Sequence, residues 1–180
     1  MAKKPKFTRA QIKNHIKKIQ DAMEKRKLEH EQRGELFKSI TPEEIEKKFK
    51  RVNSPMLVGQ AWSSTTPGGT VNLTVYIYNP DATFALDLLV HVWVGSGNVD
   101  PTVGTFLLNV DTRFPRLTQP AAFGLFLDSG AMASLNFALN VPTTVERTNY
   151  MGQSLLMQAN YFDVGTSRIL DRWLFEFEVA

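Results

Sequence analysis

Cysteine is absent from all 180 residues, which excludes disulfides and thiolate metal sites and removes any need for an oxidising compartment. Lysine is absent after Lys50, so the last 130 residues must stay dispersed without the commonest surface cation. Long apolar runs are missing too. The richest, around Leu86 to Val94 and Ala121 to Leu127, fall short of the roughly 20 residues that span a bilayer as a helix. The basic start, Met1-Ala2-Lys3-Lys4-Pro5-Lys6, leads into Lys13, His15, Lys17 and Lys18 and not into the apolar core of a signal peptide. The expectation is a soluble, cytoplasmic or intracellular protein without a signal peptide and without an integral membrane segment.

What is present is sharply divided. Residues 1–52 carry 16 lysines and arginines against 8 acids, whereas residues 53–180 carry 5 arginines against 10 acids. Such a split predicts a solvated basic arm over residues 1–52 and a sparsely charged domain over residues 56–180. In the arm, Ile12, Ile16, Ile19 and Met23 recur at spacings of four and three, the stripe of an amphipathic helix over about 8–33, and these four residues form a candidate helix-partner interface. Continued at that spacing the stripe meets Arg26, His30 and Arg33, which disfavours a long coiled coil. Gly34 falls where the stripe changes character and predicts a break. Thr41-Pro42-Glu43-Glu44 has the N-cap, first-turn proline and capping-box glutamate of a second helix, over about 42–51. Its Glu43, Glu44 and Glu46 precede Lys47, Lys48 and Lys50 by four residues, the spacing of intrahelical ion pairs. Lys3, Lys4, Lys6, Arg9, Lys13, Lys17 and Lys18 form a candidate site for an anionic partner, nucleic acid included. The same lysines also read as the solvated face of a helix that makes an ordinary protein contact.

After Met56 the period changes to two. Val71, Leu73, Val75 and Ile77 alternate with Asn72, Thr74, Tyr76 and Tyr78, and Leu86, Leu88, Val90, Val92 and Val94 alternate with Asp87, Leu89, His91 and Trp93. About eight such runs, punctuated by Pro67-Gly68-Gly69, Asn79-Pro80 and similar turns, predict a mainly β fold. The expected architecture is an antiparallel β-sandwich, immunoglobulin-like or jelly roll, preceded by the basic two-helix arm. The run from Gly69 through Asn79-Pro80, with Leu135 to Pro142 and Leu156 to Asp163, resembles bacterial immunoglobulin-like β-sandwich modules over about 110 residues within 57–179. That resemblance implies a seven- or eight-stranded sandwich used for adhesion or docking.

No catalytic signature stands out. His91 shares a strand face with Asp87, but about 13 Å separates residues four apart on a strand. Asp163, Asp171, Glu176 and Glu178 read as solubility charges. No catalytic, cofactor or metal residue is therefore assigned, and no cofactor is expected. Leu89, Trp93, Leu156, Phe162 and Leu174 fall opposite the main alternation and form a candidate interface on the sandwich. The sequence thus predicts a non-catalytic structural or adaptor protein. It assembles with itself as a homo-oligomer, or with another protein, through the sandwich and anchors to a partner through the arm. A nucleic-acid-binding or capsid-like scaffold, a membrane-surface protein and an enzyme stay open as alternatives.

Overall fold

The structure, a computed structural model, describes residues 7–51, 54–81, 83, 85–96, 109–114, 117–118, 125–158 and 168–180. Alternation builds two antiparallel sheets from these residues. The first orders β1 (Leu36–Ser39), β2 (Met56–Trp62), β3 (Thr70–Tyr78) and β8 (Met132–Asn140) as β1-β2-β3-β8. The second orders β10 (Arg168–Glu178), β9 (Asn149–Gln158) and β4 (Ala85–Ser96), and the other edge of β4 is lined by three short strands, β5 (Asn109–Val110), β6 (Leu117–Thr118) and β7 (Leu125–Leu127). Facing rows Leu57, Val71, Leu73, Val75, Ile77, Leu135, Phe137 and Leu139 from one sheet meet Leu88, Val90, Val92, Val94, Leu156, Phe175 and Phe177 from the other. This apolar layer, nearly all of it removed from water, is the main stabilising term.

One corner of the sandwich is closed without a regular backbone ladder. Arg168 Nη2 reaches Ser54 Oγ at 3.5 Å, the Leu57 N–H donates to Asp171 Oδ2 at 2.9 Å, Gln60 Nε2 to the Leu174 carbonyl at 3.2 Å and Trp62 Nε1 to the Glu176 carbonyl at 2.7 Å. Each pair is 114 residues apart, so β2 and β10 run parallel and in step. Just beyond β2 the backbone takes over, with a parallel bridge between Thr65 and Val179. Gln60, fully buried, also accepts from Ser154 Oγ at 2.9 Å and so satisfies its amide inside the core.

The N-terminal segment forms a third layer. Helix α1 (Arg9–Gln32) begins at a reciprocal capping box in which Thr8 and Gln11 bond each other's backbone N–H, and it ends before Gly34, whose φ of 74° terminates the turn. Helix α2 (Pro42–Arg51) starts on the Thr41/Glu44 capping box. Between them β1 pairs with β2, from Leu36 opposite Trp62 to Ser39 opposite Gly59. Four residues are too few to show a period, so nothing in the local pattern marks this strand. Both helices cover the outer face of the first sheet, where Ile19, Met23, Ile45 and Phe49 pack on Met56, Val58, Tyr76 and Tyr78. Gly59 makes the close approach possible, because a Cβ there would meet Met23 Sδ at 2.5 Å.

Candidate interaction surface

The stripe of α1 that was expected to meet a partner meets the chain's own sheet. Ile19 and Met23 are buried and Ile12 and Ile16 half-buried, all in the cluster that includes Tyr76 and Tyr78. Two polar clamps fix the register. His15 Nδ1 pairs with Tyr78 Oη at 2.6 Å, and His30 Nε2 pairs with Tyr76 Oη at 2.7 Å while its Nδ1 meets the Glu35 carboxylate. The two histidines sit fifteen residues apart, about 22 Å along a helix, whereas the tyrosines are two apart, about 7 Å along a strand. The phenols therefore splay in opposite directions, and α1 runs antiparallel to β3. Aromatic packing adds to the clamps: Phe7 meets Phe49 edge-on at 4.9 Å, His15 stacks on Phe49 at 5.2 Å, and Phe37 stacks on His30 at 5.7 Å. Burial raises both phenol pKa values above the usual tyrosine range.

His15 gives this docking a pH dependence. Burial, and then the nearby Lys18 ammonium, hold its imidazole below the ordinary value of 6.5. The unfolded chain therefore binds the proton more readily than the folded one. The contribution is complete above 6.5 and is lost as pH falls through the depressed value. Urea midpoints should drop between pH 7.5 and pH 5, and His15→Gln should flatten that part of the profile.

With its apolar side occupied, α1 turns its charge outward. Arg9, Lys13, Lys17 and Lys18 are exposed, as are Lys25, Arg26 and Lys27 further along; Lys3, Lys4 and Lys6 lie outside the described residues. Some cations have local partners: Lys17 pairs with Asp21 at 2.9 Å, Arg26 with Glu29 at 2.9 Å and Lys27 with Glu31 at 3.8 Å, all well solvated. Pairs so open to solvent contribute little to stability. Lys18 reaches across to the Gly130 carbonyl. Arg9, Lys13 and Lys25 make no ion pair among the described residues. Lys25 and Arg26 also line an open groove between α1 and β8, together with Ala22, Tyr76, Met132 and Ser134.

In α2 only part of the expected ion pairing holds. Lys50 pairs with Glu46 at 3.6 Å, but Glu44 is engaged by the Thr41 cap and Lys48 leaves the helix to pair with Asp171. Asp171 is thus no solubility charge. It accepts from Lys48 and the Leu57 N–H, tying α2, β2 and β10 together. Trp173 seals the same edge under two ammonium groups, Lys38 at 5.2 Å and Lys48 at 5.8 Å.

The candidate interface on the sandwich is redistributed by the register. Val90 pairs with Leu156 and His91 with Leu155, so Leu156 joins the core and Leu155 takes the outer face. Adjacent leucines on a strand point oppositely, so Leu155 and not the expected Leu156 lies on this face. Leu155, Trp93, Leu174, Met151 and Met157 cluster on that face, but Trp93 and Leu89 are already 3% and 4% exposed within the single chain. They offer no open apolar patch. Phe162 lies outside the described residues. Among the described residues, the large apolar side chains most open to solvent, Leu28, Leu36, Phe126 and Ile169, sit on four different elements. Among the described residues, no group of three or more histidines and carboxylates is placed to hold a metal ion, and no helix is long and apolar enough to cross a membrane.

No protein-family model and no curated protein matches the chain. Solved structures do. The crystal structure of the C-terminal domain of wzt is similar with a TM-score of 0.50 and 11% identity, over 81% of this chain and 78% of that one. An ASH/PapD-like domain of human CEP192, PapD-like domain 7, aligns with a TM-score of 0.31 and 15% identity over 72% of this chain and 80% of that one. At such identities the first likeness shows a shared fold alone. The chain is an antiparallel β-sandwich with two N-terminal helices, the architecture that its strand pattern and helix-capping signals implied.

Proposed function

We propose that the protein is a non-catalytic structural or adaptor protein whose sandwich assembles with itself or with another protein and whose basic helical segment anchors it to an anionic partner. One observation carries this reading: the apolar side of α1 is used up on the chain's own sheet, so what the helix presents outward is charge. The first turn of α1 holds no acid and begins with Arg9. A cation there opposes the helix macrodipole at about 0.3–1 kcal/mol, a placement that helix stability alone disfavours and a partner's negative charge would reward. The occupied stripe takes away the support for a helix lying on a membrane, because interfacial helices bury that face in lipid. An intracellular setting belongs to the proposal, and a chain with no cysteine is compatible with it.

Nucleic acid is the second reading, favoured by Arg9, Lys13 and Lys17 continuing the run of Lys3, Lys4 and Lys6 in one short stretch. Titration of duplex DNA or RNA at rising salt separates the two. If phosphates are the partner, log affinity falls linearly with log salt, and the triple variant Arg9→Glu/Lys13→Glu/Lys17→Glu flattens that slope by about 0.9 per lost contact, roughly 3 in all. Weak binding that ignores salt would remove nucleic acid and leave the protein partner.

A further inference from the structure

We propose that β8 is the seam of a homodimer, in which two copies pair their β8 strands antiparallel about a two-fold axis through Asn136 to make one continuous eight-stranded sheet. This rests on the self-assembly reading above and gives it a surface. The Asn79 N–H donates to the Ala131 carbonyl at 3.0 Å and the Val141 N–H to the Gly69 carbonyl at 2.9 Å. Odd-numbered residues of this strand therefore turn their backbone groups toward β3. By the alternation of an antiparallel ladder, Met132, Ser134, Asn136, Ala138 and Asn140 turn theirs away, and among the described residues no strand pairs with them.

The other edges are managed. β1 spans only four residues and carries Lys38. β10 carries Asp171, Arg172, Glu176 and Glu178 and has a register shift between Ile169 and Asp171. The far edge of β4 is lined by β5, β6 and β7. Short length, charge, bulges and covering strands are the devices by which sheets avoid unwanted pairing. Among the described residues β8 has none of them: nine residues, no charge, no proline, and an unbroken register with β3 from Met132 to Asn140.

A second copy fits this edge by parity and by charge. A two-fold axis at Asn136 sets Met132 opposite Asn140 and Ser134 opposite Ala138, so outward-turned residues meet only outward-turned residues. Every unpaired N–H then finds an unpaired carbonyl, in five residue pairs exchanging about two bonds each. No charge faces a like charge at any of these positions, which is the usual obstacle to a strand pairing with its own copy. The arrangement is isologous and closes at two copies.

The absence of native cysteine makes the register directly testable in the full chain. Asn136→Cys places two thiols across the axis at a Cα separation of about 5.5 Å, inside the disulfide range. Asn140→Cys places them about 27 Å apart, eight residues along the seam. Under mild oxidation the first variant should run as a covalent dimer and the second as a monomer, while Ser134→Cys/Ala138→Cys should cross-link again. Light scattering of the unmodified protein at micromolar concentration should give twice the 20.3 kDa chain mass, and circular dichroism checks that each variant is folded. A dimer that none of these cysteines captures overturns the β8 seam and leaves self-assembly standing. A strict monomer overturns both.

Discussion

His30→Ala should lower the unfolding free energy by about 2–6 kcal/mol, because it leaves two hydrogen-bonding groups without their partner at about 1–3 kcal/mol each. His30 is 2% exposed and joins three elements: its own helix, the Glu35 carboxylate just beyond the helix, and the Tyr76 phenol of β3. Alanine leaves the phenol and the largely buried carboxylate facing an apolar gap and removes the ring stacked on Phe37. Unfolding in urea, followed both by circular dichroism and by tyrosine fluorescence, measures the loss. A double-mutant cycle with Tyr76→Phe should return a coupling of about 0.5–3 kcal/mol. A His30→Ala cost below about 1 kcal/mol, in the range of a single neutral hydrogen bond, would mean that the C-terminal half of α1 is held by its apolar contacts alone.

Asp171→Ala should cost about 3 kcal/mol, because the carboxylate holds a backbone N–H and an ammonium at once, and charged hydrogen bonds contribute about 1.5–3 kcal/mol. At this chain length that loss corresponds to a fall in Tm of about 6–12 °C. Lys48 would keep only the Trp173 face, and the Leu57 N–H would lose its acceptor in the wall of the core. Glu178, exposed on the same strand, is the control; its alanine variant should stay within about 0.5 kcal/mol of the parent. Equal effects at the two positions would show that the β2–β10 corner does not depend on the carboxylate.

The helices and the sandwich were legible because each rests on a local signal. Thr41-Pro42-Glu43-Glu44 states a helix start within four residues, and the period-two rows of β3 and β4 separate core from outer face before any partner strand is known. The faces of β9 were not legible, since Leu155-Leu156 carries no polar neighbour to break the tie and only pairing with β4 does so. The docking of α1 was hidden for a related reason. His30 looked like a charge interrupting an apolar stripe, and its acceptability depends on Tyr76, which is 46 residues away. The outer face of β3 read as polar because Tyr76 and Tyr78 carry hydroxyls. Those hydroxyls are what the helix histidines bind, so an apparently wet face became an interior one.

The corner where β2 meets β10 bears on how the molecule is made. Its bonds join positions 114 residues apart, so none can form until β10 and everything between it and β2 have left the ribosome. The entropy of closing so long a loop opposes early formation, and folds dominated by distant pairings assemble slowly. During that interval the carbonyl-binding side chains of Gln60 and Trp62 have no acceptors to meet, and the nascent sheet waits with one side unlatched.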